Sequence, residues 1–251
     1  MELSLDGSVV LVTGGVRGVG LGITRAFLSA GATVVTCARR AAEVPGASFV
    51  ECDVRDAAQV SALVSAVVDR FGRLDVVVNN AGGAPFALAD RASPRFHQKV
   101  VELNLLAPLL VSQAAYAVMK DAGGSIVMVS SVSGRRPSPG TAAYGAAKAG
   151  LDNLTASLAV EWAPRVRVNA LAVGMVRTER SHLHYGSEQG IEAVARTVPL
   201  GRLATPDEVG ACAVFLASPL ASYVTGSTLV VHGGGERPAF LAAADTDGGS
   251  S

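Results

Sequence analysis

The sequence predicts an α/β fold, a single doubly wound parallel sheet with helices on both faces. Short β-branched runs alternate with longer Ala-rich stretches along almost the whole chain, the pattern of repeated strand–helix–strand units. Segment 74–78 ends in Val76-Val77-Val78, as a strand covered on both faces should. No Pro-, Gly- or Ser-rich linker divides the 251 residues, and there is no internal repeat, so one domain spans 1–235. The last stretch, 236–251, ends in Asp-Thr-Asp-Gly-Gly-Ser-Ser and reads as a flexible tail.

In chain order, strands are expected at 9–12, 33–36, 48–51, 74–78, 125–129, 166–171 and 227–231. Helices are expected at 18–30, 57–71, 100–121, 143–162 and 207–216. In the second helix Val60, Leu63, Val64, Val67 and Val68 recur at helical spacing, which marks its buried side. The last starts after Thr205-Pro206, where Pro suits a first turn. Right-handed crossovers then give a Rossmann-type sheet, whose ligands sit beyond the carboxyl ends of the strands.

Composition narrows the function. At 49% hydrophobic and 17% charged the chain can bury a large core. Twenty-one basic residues balance 21 acidic ones, so no broad field attracts nucleic acid or an anionic membrane. Residues 1–8 lack the basic and apolar regions of a signal peptide. The window 103–119 is broken by Asn104, Pro108, Ser112 and Gln113, which speaks against a membrane span. Cys37, Cys52 and Cys212 are odd in number and widely spaced, as in reduced cytosolic proteins. A cytoplasmic location is expected.

Thr13-Gly14-Gly15-Val16-Arg17-Gly18-Val19-Gly20 follows the first strand and opens the first helix. Glycines let a backbone turn tightly against a pyrophosphate, whose charge meets free N–H groups at the helix start. The second strand ends in Cys37-Ala38-Arg39-Arg40. A ribose 2′-OH is usually met there by Asp or Glu. Arginine instead suits a 2′-phosphate, and Arg17 adds a second cation. NADP(H) is therefore expected over NAD(H).

Tyr144 and Lys148 lie one helical turn apart, hence on one face. An ammonium about 4 Å from a phenol is worth roughly 4 kcal/mol at an effective dielectric of about 20. With an oxidised nicotinamide adding a second positive charge, the combination would bring the phenol into the range where it trades protons with a substrate oxygen. Ser131 ends the preceding strand run and can hydrogen-bond a carbonyl oxygen. Ser130 and Ser133 are rivals for that role.

With Asn79-Asn80-Ala81-Gly82, these motifs resemble the short-chain dehydrogenase/reductase superfamily over about residues 9–235. The resemblance implies Asn104, Ser131, Tyr144 and Lys148 as catalytic residues, with Asn104 extending a proton relay from the lysine. It implies cofactor contacts at Gly14, Arg17, Gly18, Val19, Gly20, Arg39, Asp53, Val54, Asn80, Ala81 and Gly82, at Tyr144 and Lys148 again, and at Gly174, Val176 and Thr178. Asp53-Val54 would meet the adenine, and Lys148 the nicotinamide ribose. Val173 stands where the family usually has Pro, which leaves the loop over the nicotinamide less constrained. Homotetramers or dimers pairing through helices 100–121 and 143–162 are implied as well.

On the substrate side, loops 134–141 and 179–199 should shape the pocket, the second as a lid. His182 and His184 lack a third ligand cluster, so no metal is expected. Arg135 and Arg136 read as solvated turn residues, with an anionic substrate or acidic carrier as the alternative. The segments 198–202 and 223–226 are similar to 3-oxoacyl thioester reductases of the family. A small-molecule ketone or alcohol is expected ahead of an acyl thioester, and a non-catalytic NADP(H)-binding protein is the reading from another class.

Overall fold

A computed structural model describes residues 3–240. Seven parallel strands form one sheet in the order β3-β2-β1-β4-β5-β6-β7. They are β1 (Val9–Thr13), β2 (Thr33–Ala38), β3 (Ser48–Glu51), β4 (Val76–Asn79), β5 (Gly124–Ser131), β6 (Val166–Val173) and β7 (Thr228–Val231). The order reverses between β1 and β4, so the ends of these strands open the crevice in which such sheets bind ligands.

The helices are α1 (Gly18–Ser29), α2 (Ala57–Phe71), α3 (Pro94–Val101), α4 (Ala107–Met119), α5 (Ala142–Trp162), α6 (His182–Tyr185), α7 (Glu188–Ala195) and α8 (Pro206–Ala217). Two apolar layers cover the sheet. One holds Leu63, Val111 and Leu151, from α2, α4 and α5; the other holds Ile23, Phe27 and Val214, from α1 and α8. Starts are set locally. The Asp56 carboxylate accepts from the amides of Ala58 and Gln59 to cap α2, and Thr205 with Glu208 closes a capping box on α8.

Two elements start two or more residues away from the sequence reading. The fourth strand begins at Val76 rather than 74, because the Asp75 carboxylate turns aside to accept the Val9 amide at 2.8 Å. The third helical stretch begins at Pro94 rather than 100, where Ser93 caps it; Ser-Pro is a start signal that apolar spacing alone passes over. A wide π turn, Glu102–Leu106, joins α3 to α4. The resulting helix Pro94–Met119 is long and apolar enough to cross a membrane by length and composition, yet Ala107, Val111, Ala115 and Met119 pack into the core.

At the opposite edge of the sheet Arg167 secures the end of α8. Its guanidinium donates to the carbonyls of Leu216, Ala217, Ser218 and Val224, satisfying acceptors a helix end leaves open. The expected tail falls, for residues 241–251, outside the described residues. Of its first residues, Glu236 pairs with Arg136 and the Arg237 amide donates to the Thr197 carbonyl at 3.0 Å.

Candidate active site

The expected site residues collect at the carboxyl edge of the sheet. Beyond β1 the chain turns through Gly14, at φ 65°. A Cβ there would lie 3.1 Å from the Ala81 Cα, and one on Gly20 would lie 2.2 Å from the Gly14 carbonyl oxygen. Only bare backbone fits this turn. Thr13 and Asn80 brace it. The Thr13 hydroxyl accepts from the amides of Asn80 and Ala81, each at 3.0 Å, and the Asn80 amide side chain donates to the carbonyls of Thr13 and Gly14. Arg17, the N-cap of α1, gives no side-chain cap, and the first turn carries no acidic residue. Its N–H groups are left for an anion.

At the end of β2 Arg39 is exposed. Among the described residues neither it, nor Arg40, nor Arg17 is in an ion pair. The Asp53 carboxylate is instead gripped by Arg55, which holds it below its ordinary range, with Arg39 a further cause. Val54 is buried in the core cluster with Val60 and Leu63.

The second group surrounds α5. Lys148 is buried, donates to the Val129 carbonyl at 2.7 Å, and holds its ammonium nitrogen 5.6 Å from the centre of the Tyr144 ring. Ser131 ends β5, and its hydroxyl accepts from the Ser133 amide. Of its rivals, Ser130 is engaged on the Lys148 carbonyl. Asn104 sits buried inside the π turn. Its Oδ1 accepts from the Gly83 amide at 2.8 Å, while its Nδ2 donates to the carbonyls of Gly83 and Val100. A Cβ on Gly82 would lie 2.7 Å from the Asn104 Oδ1 and 3.5 Å from the Lys148 nitrogen, so that glycine is the spacer between them.

The electrostatics of the protein alone run the other way from the lysine's expected pull. Burial pushes the Tyr144 phenol above its ordinary value, and the Ser131 hydroxyl pulls it back only in part. Burial also lowers the Lys148 ammonium, to about 8, against a smaller pull from Asp152. Desolvation therefore outweighs the attraction expected from spacing, and the protein alone holds the phenol as an acid.

A family model described as enoyl-(acyl carrier protein) reductase matches residues 14–236. The chain belongs to the short-chain dehydrogenase/reductase family. It is 35% identical to galactitol 2-dehydrogenase of Agrobacterium fabrum over 92% of this chain and 98% of that one. It is 40% identical to L-fucose dehydrogenase of Oryctolagus cuniculus over 92% and 85%. The solved structure of Thermoplasma acidophilum aldohexose dehydrogenase in ligand-free form superposes with a TM-score of 0.88 at 29% identity, covering 99% of this chain and 98% of that one.

On the substrate side of this short-chain dehydrogenase/reductase, Gly174 donates to the Val231 carbonyl at 2.9 Å, and a Cβ on it would lie 2.7 Å from that of His232. The contact holds the segment where Val173 replaces the family's usual Pro. Val176 bridges to Ala204. Thr178 accepts from the Arg180 amide and is the nearest neighbour a Cβ on Gly18 would meet, at 3.7 Å. Arg135 and Arg136 are exposed turn residues, as expected, and each also meets a carboxylate, of Asp152 and of Glu236. Among the described residues no cluster could hold a metal ion.

His232 and Glu236 escaped the sequence reading, whereas Tyr185 falls in the stretch expected to form a lid. His232 had a signal: it directly follows the last strand, at the ligand-facing edge. Glu236 meets Arg136 from a distant part of the chain.

Proposed function

We propose that this protein is an NADP(H)-dependent oxidoreductase that interconverts a neutral, sugar- or polyol-like secondary alcohol and its carbonyl form, with Tyr144 as the proton donor and acceptor. The observation that carries the reading is the gathering of Tyr144, Lys148 and Ser131 around one buried edge of β5, beside a glycine turn only backbone can fill.

When bound, the nicotinamide supplies or accepts the hydride. Gly14, Gly18, Val19 and Gly20 would hold the pyrophosphate at the α1 terminus, and Arg17 and Arg39 a 2′-phosphate. Asp53 and Val54 would border the adenine, while Asn80, Ala81, Gly82, Gly174, Val176 and Thr178 line the remaining length. Tyr144, kept neutral by burial, donates its proton to a carbonyl oxygen in reduction. Ser131 hydrogen-bonds that oxygen as charge develops. Lys148 stabilises the phenolate left behind, and Asn104 holds the backbone beside it, extending the proton path.

The substrates for which these relatives are named, galactitol, L-fucose and aldohexoses, favour sugars and polyols over acyl carriers. Pairing of Arg135 and Arg136 with carboxylates supports the same choice, because it leaves little net charge for an acidic carrier. The same reading takes the protein as a cytosolic homo-oligomer, supported by exposed Val118 and Val160 on α4 and α5, the helices expected to pair. The test is a spectrophotometric panel of polyols, aldoses, a hydroxysteroid and an acetoacetyl thioester with each cofactor. Turnover of neutral alcohols with a lower KM for NADP(H) is expected; thioester reduction alone, or a lower KM for NADH, would overturn the reading.

A further inference from the structure

Two loops reach the cleft edge from distant parts of the chain and close on one another. Loop 134–141 leaves β5 just after Ser131 and returns into α5 just before Tyr144, so both its ends are fixed by residues of the site. It is stiffened inside by a hydrogen bond between the Ser138 and Thr141 hydroxyls at 2.6 Å. From its middle, Arg136 donates to the Glu236 carboxylate at 2.5 Å. Glu236 follows β7 on a segment held from both sides: Leu200 donates to the Gly233 carbonyl, and Arg237 to that of Thr197.

A third element meets them. Tyr185, on α6 of the expected lid, is half-buried beside Ile191, Val198 and Leu203. Val198 of that cluster lies 2.8 Å from where a Cβ on Gly233 would sit, so α6 packs beside the segment that carries Glu236, and both charges of the pair act on the phenol after burial itself.

We propose that Arg136, Glu236 and Tyr185 form a subsite for the distal hydroxyls of a polyhydroxylated substrate, on the loop that joins Ser131 to the helix of Tyr144 and on the segments packed beside it. This rests on the reading of the site as an alcohol oxidoreductase and names what selects its substrate. The chemistry of the group fits. Arg136 uses one N–H on the Pro137 carbonyl and one on Glu236, leaving donors of its planar fork. Glu236 keeps its second oxygen as an acceptor. The pair is partly open to solvent, with 41% and 37% of its side chains exposed. Its charges cancel, so an anion gains nothing by entering, whereas neighbouring hydroxyls both donate to the carboxylate and accept from the guanidinium.

The test compares wild type with Glu236→Leu and Glu236→Gln, saturated with NADP+, on galactitol and on cyclohexanol. Glu236→Leu should raise the galactitol KM about tenfold, the loss of one charge-assisted hydrogen bond. Its kcat and its cyclohexanol KM should stay unchanged, and Glu236→Gln, which keeps an acceptor, should recover most of the loss. Equal changes on both alcohols, or none, would overturn the subsite and leave the ion pair as a strut. Wild type that oxidises cyclohexanol but neither turns over nor binds galactitol would overturn it too, with the oxidoreductase reading intact. Wild type inactive on every alcohol would instead sink the oxidoreductase reading. Calorimetric titration of galactitol into the NADP+-loaded protein then decides the subsite: binding lost in Glu236→Leu upholds it, and no binding by wild type overturns it.

Discussion

The frame around α5 and the segment between β6 and α8 are built in opposite ways. In the first, Lys148, Asn104 and Ser130 are buried and hydrogen-bonded to main-chain groups, so each is positioned by backbone that cannot move without unpacking the sheet. In the second, two short helices rest on a small cluster of Ile191, Val198 and Leu203. An ion pair, Arg177 with Glu188, ties its start to α7, and both side chains are more than half exposed. Buried polar anchors are costly to displace, whereas exposed pairs contribute little. The proposed proton chemistry sits on the stiff part, and substrate selection borders the soft one.

The largest effect should come from Tyr144→Phe. Loss of a positioned proton donor should lower turnover by about 10²–10⁴-fold, while NADPH binding, followed by its fluorescence, stays intact. Near-normal turnover would remove the stiff frame from the chemistry.

Lys148→Met sharpens the contrast through stability. Because the folded ammonium titrates near 8 and the unfolded one near 10.5, the unfolded chain binds the additional proton between those values. Wild-type stability should therefore rise with pH across this window, and below it the whole burial cost should persist. The span is worth roughly 3 kcal/mol. Denaturant unfolding of both proteins at matched pH should show this climb in wild type and not in Lys148→Met; parallel curves would mean the amine is solvated.

Gly82→Ala probes the spacer. The methyl would meet the Asn104 Oδ1 at 2.7 Å, and overpacking of this kind costs about 1–3 kcal/mol. A lower Tm with reduced kcat is expected, and an unchanged Tm would show that Asn104 yields. The smallest change belongs to Arg177→Gln, which should alter stability by less than about 1 kcal/mol while shifting KM through the lid. A large drop in Tm would break the comparison.

Legibility in the sequence follows the same division. All seven strands were readable, because β-branched runs and the glycine turn are local signals. Ser131, Tyr144 and Lys148 could be named as candidates for the same reason, spacing on one strand and one helix, and the structure gathers them at one edge of the sheet. The rise of the phenol in the protein alone was not readable, since burial decides it and spacing does not report burial. Nor was the Arg136–Glu236 pair, whose members lie 100 positions apart, or the capping of α8 by Arg167, a contact set by tertiary packing. The helix start at Ser93 carries a local signal, Ser-Pro, but its first turns lack the apolar periodicity that marks the rest of the helix.

The π turn at Glu102–Leu106 amounts to one residue more than a straight α-helix needs for the same climb. A helix with such a surplus can lose a residue there while its flanks keep their rotational phase, since the closed-up turn returns to ordinary pitch. What would vanish is the outward swelling of the main chain that lodges an amide side chain opposite Gly83. The wide turn is thus a device of placement, separable from the scaffold that carries it.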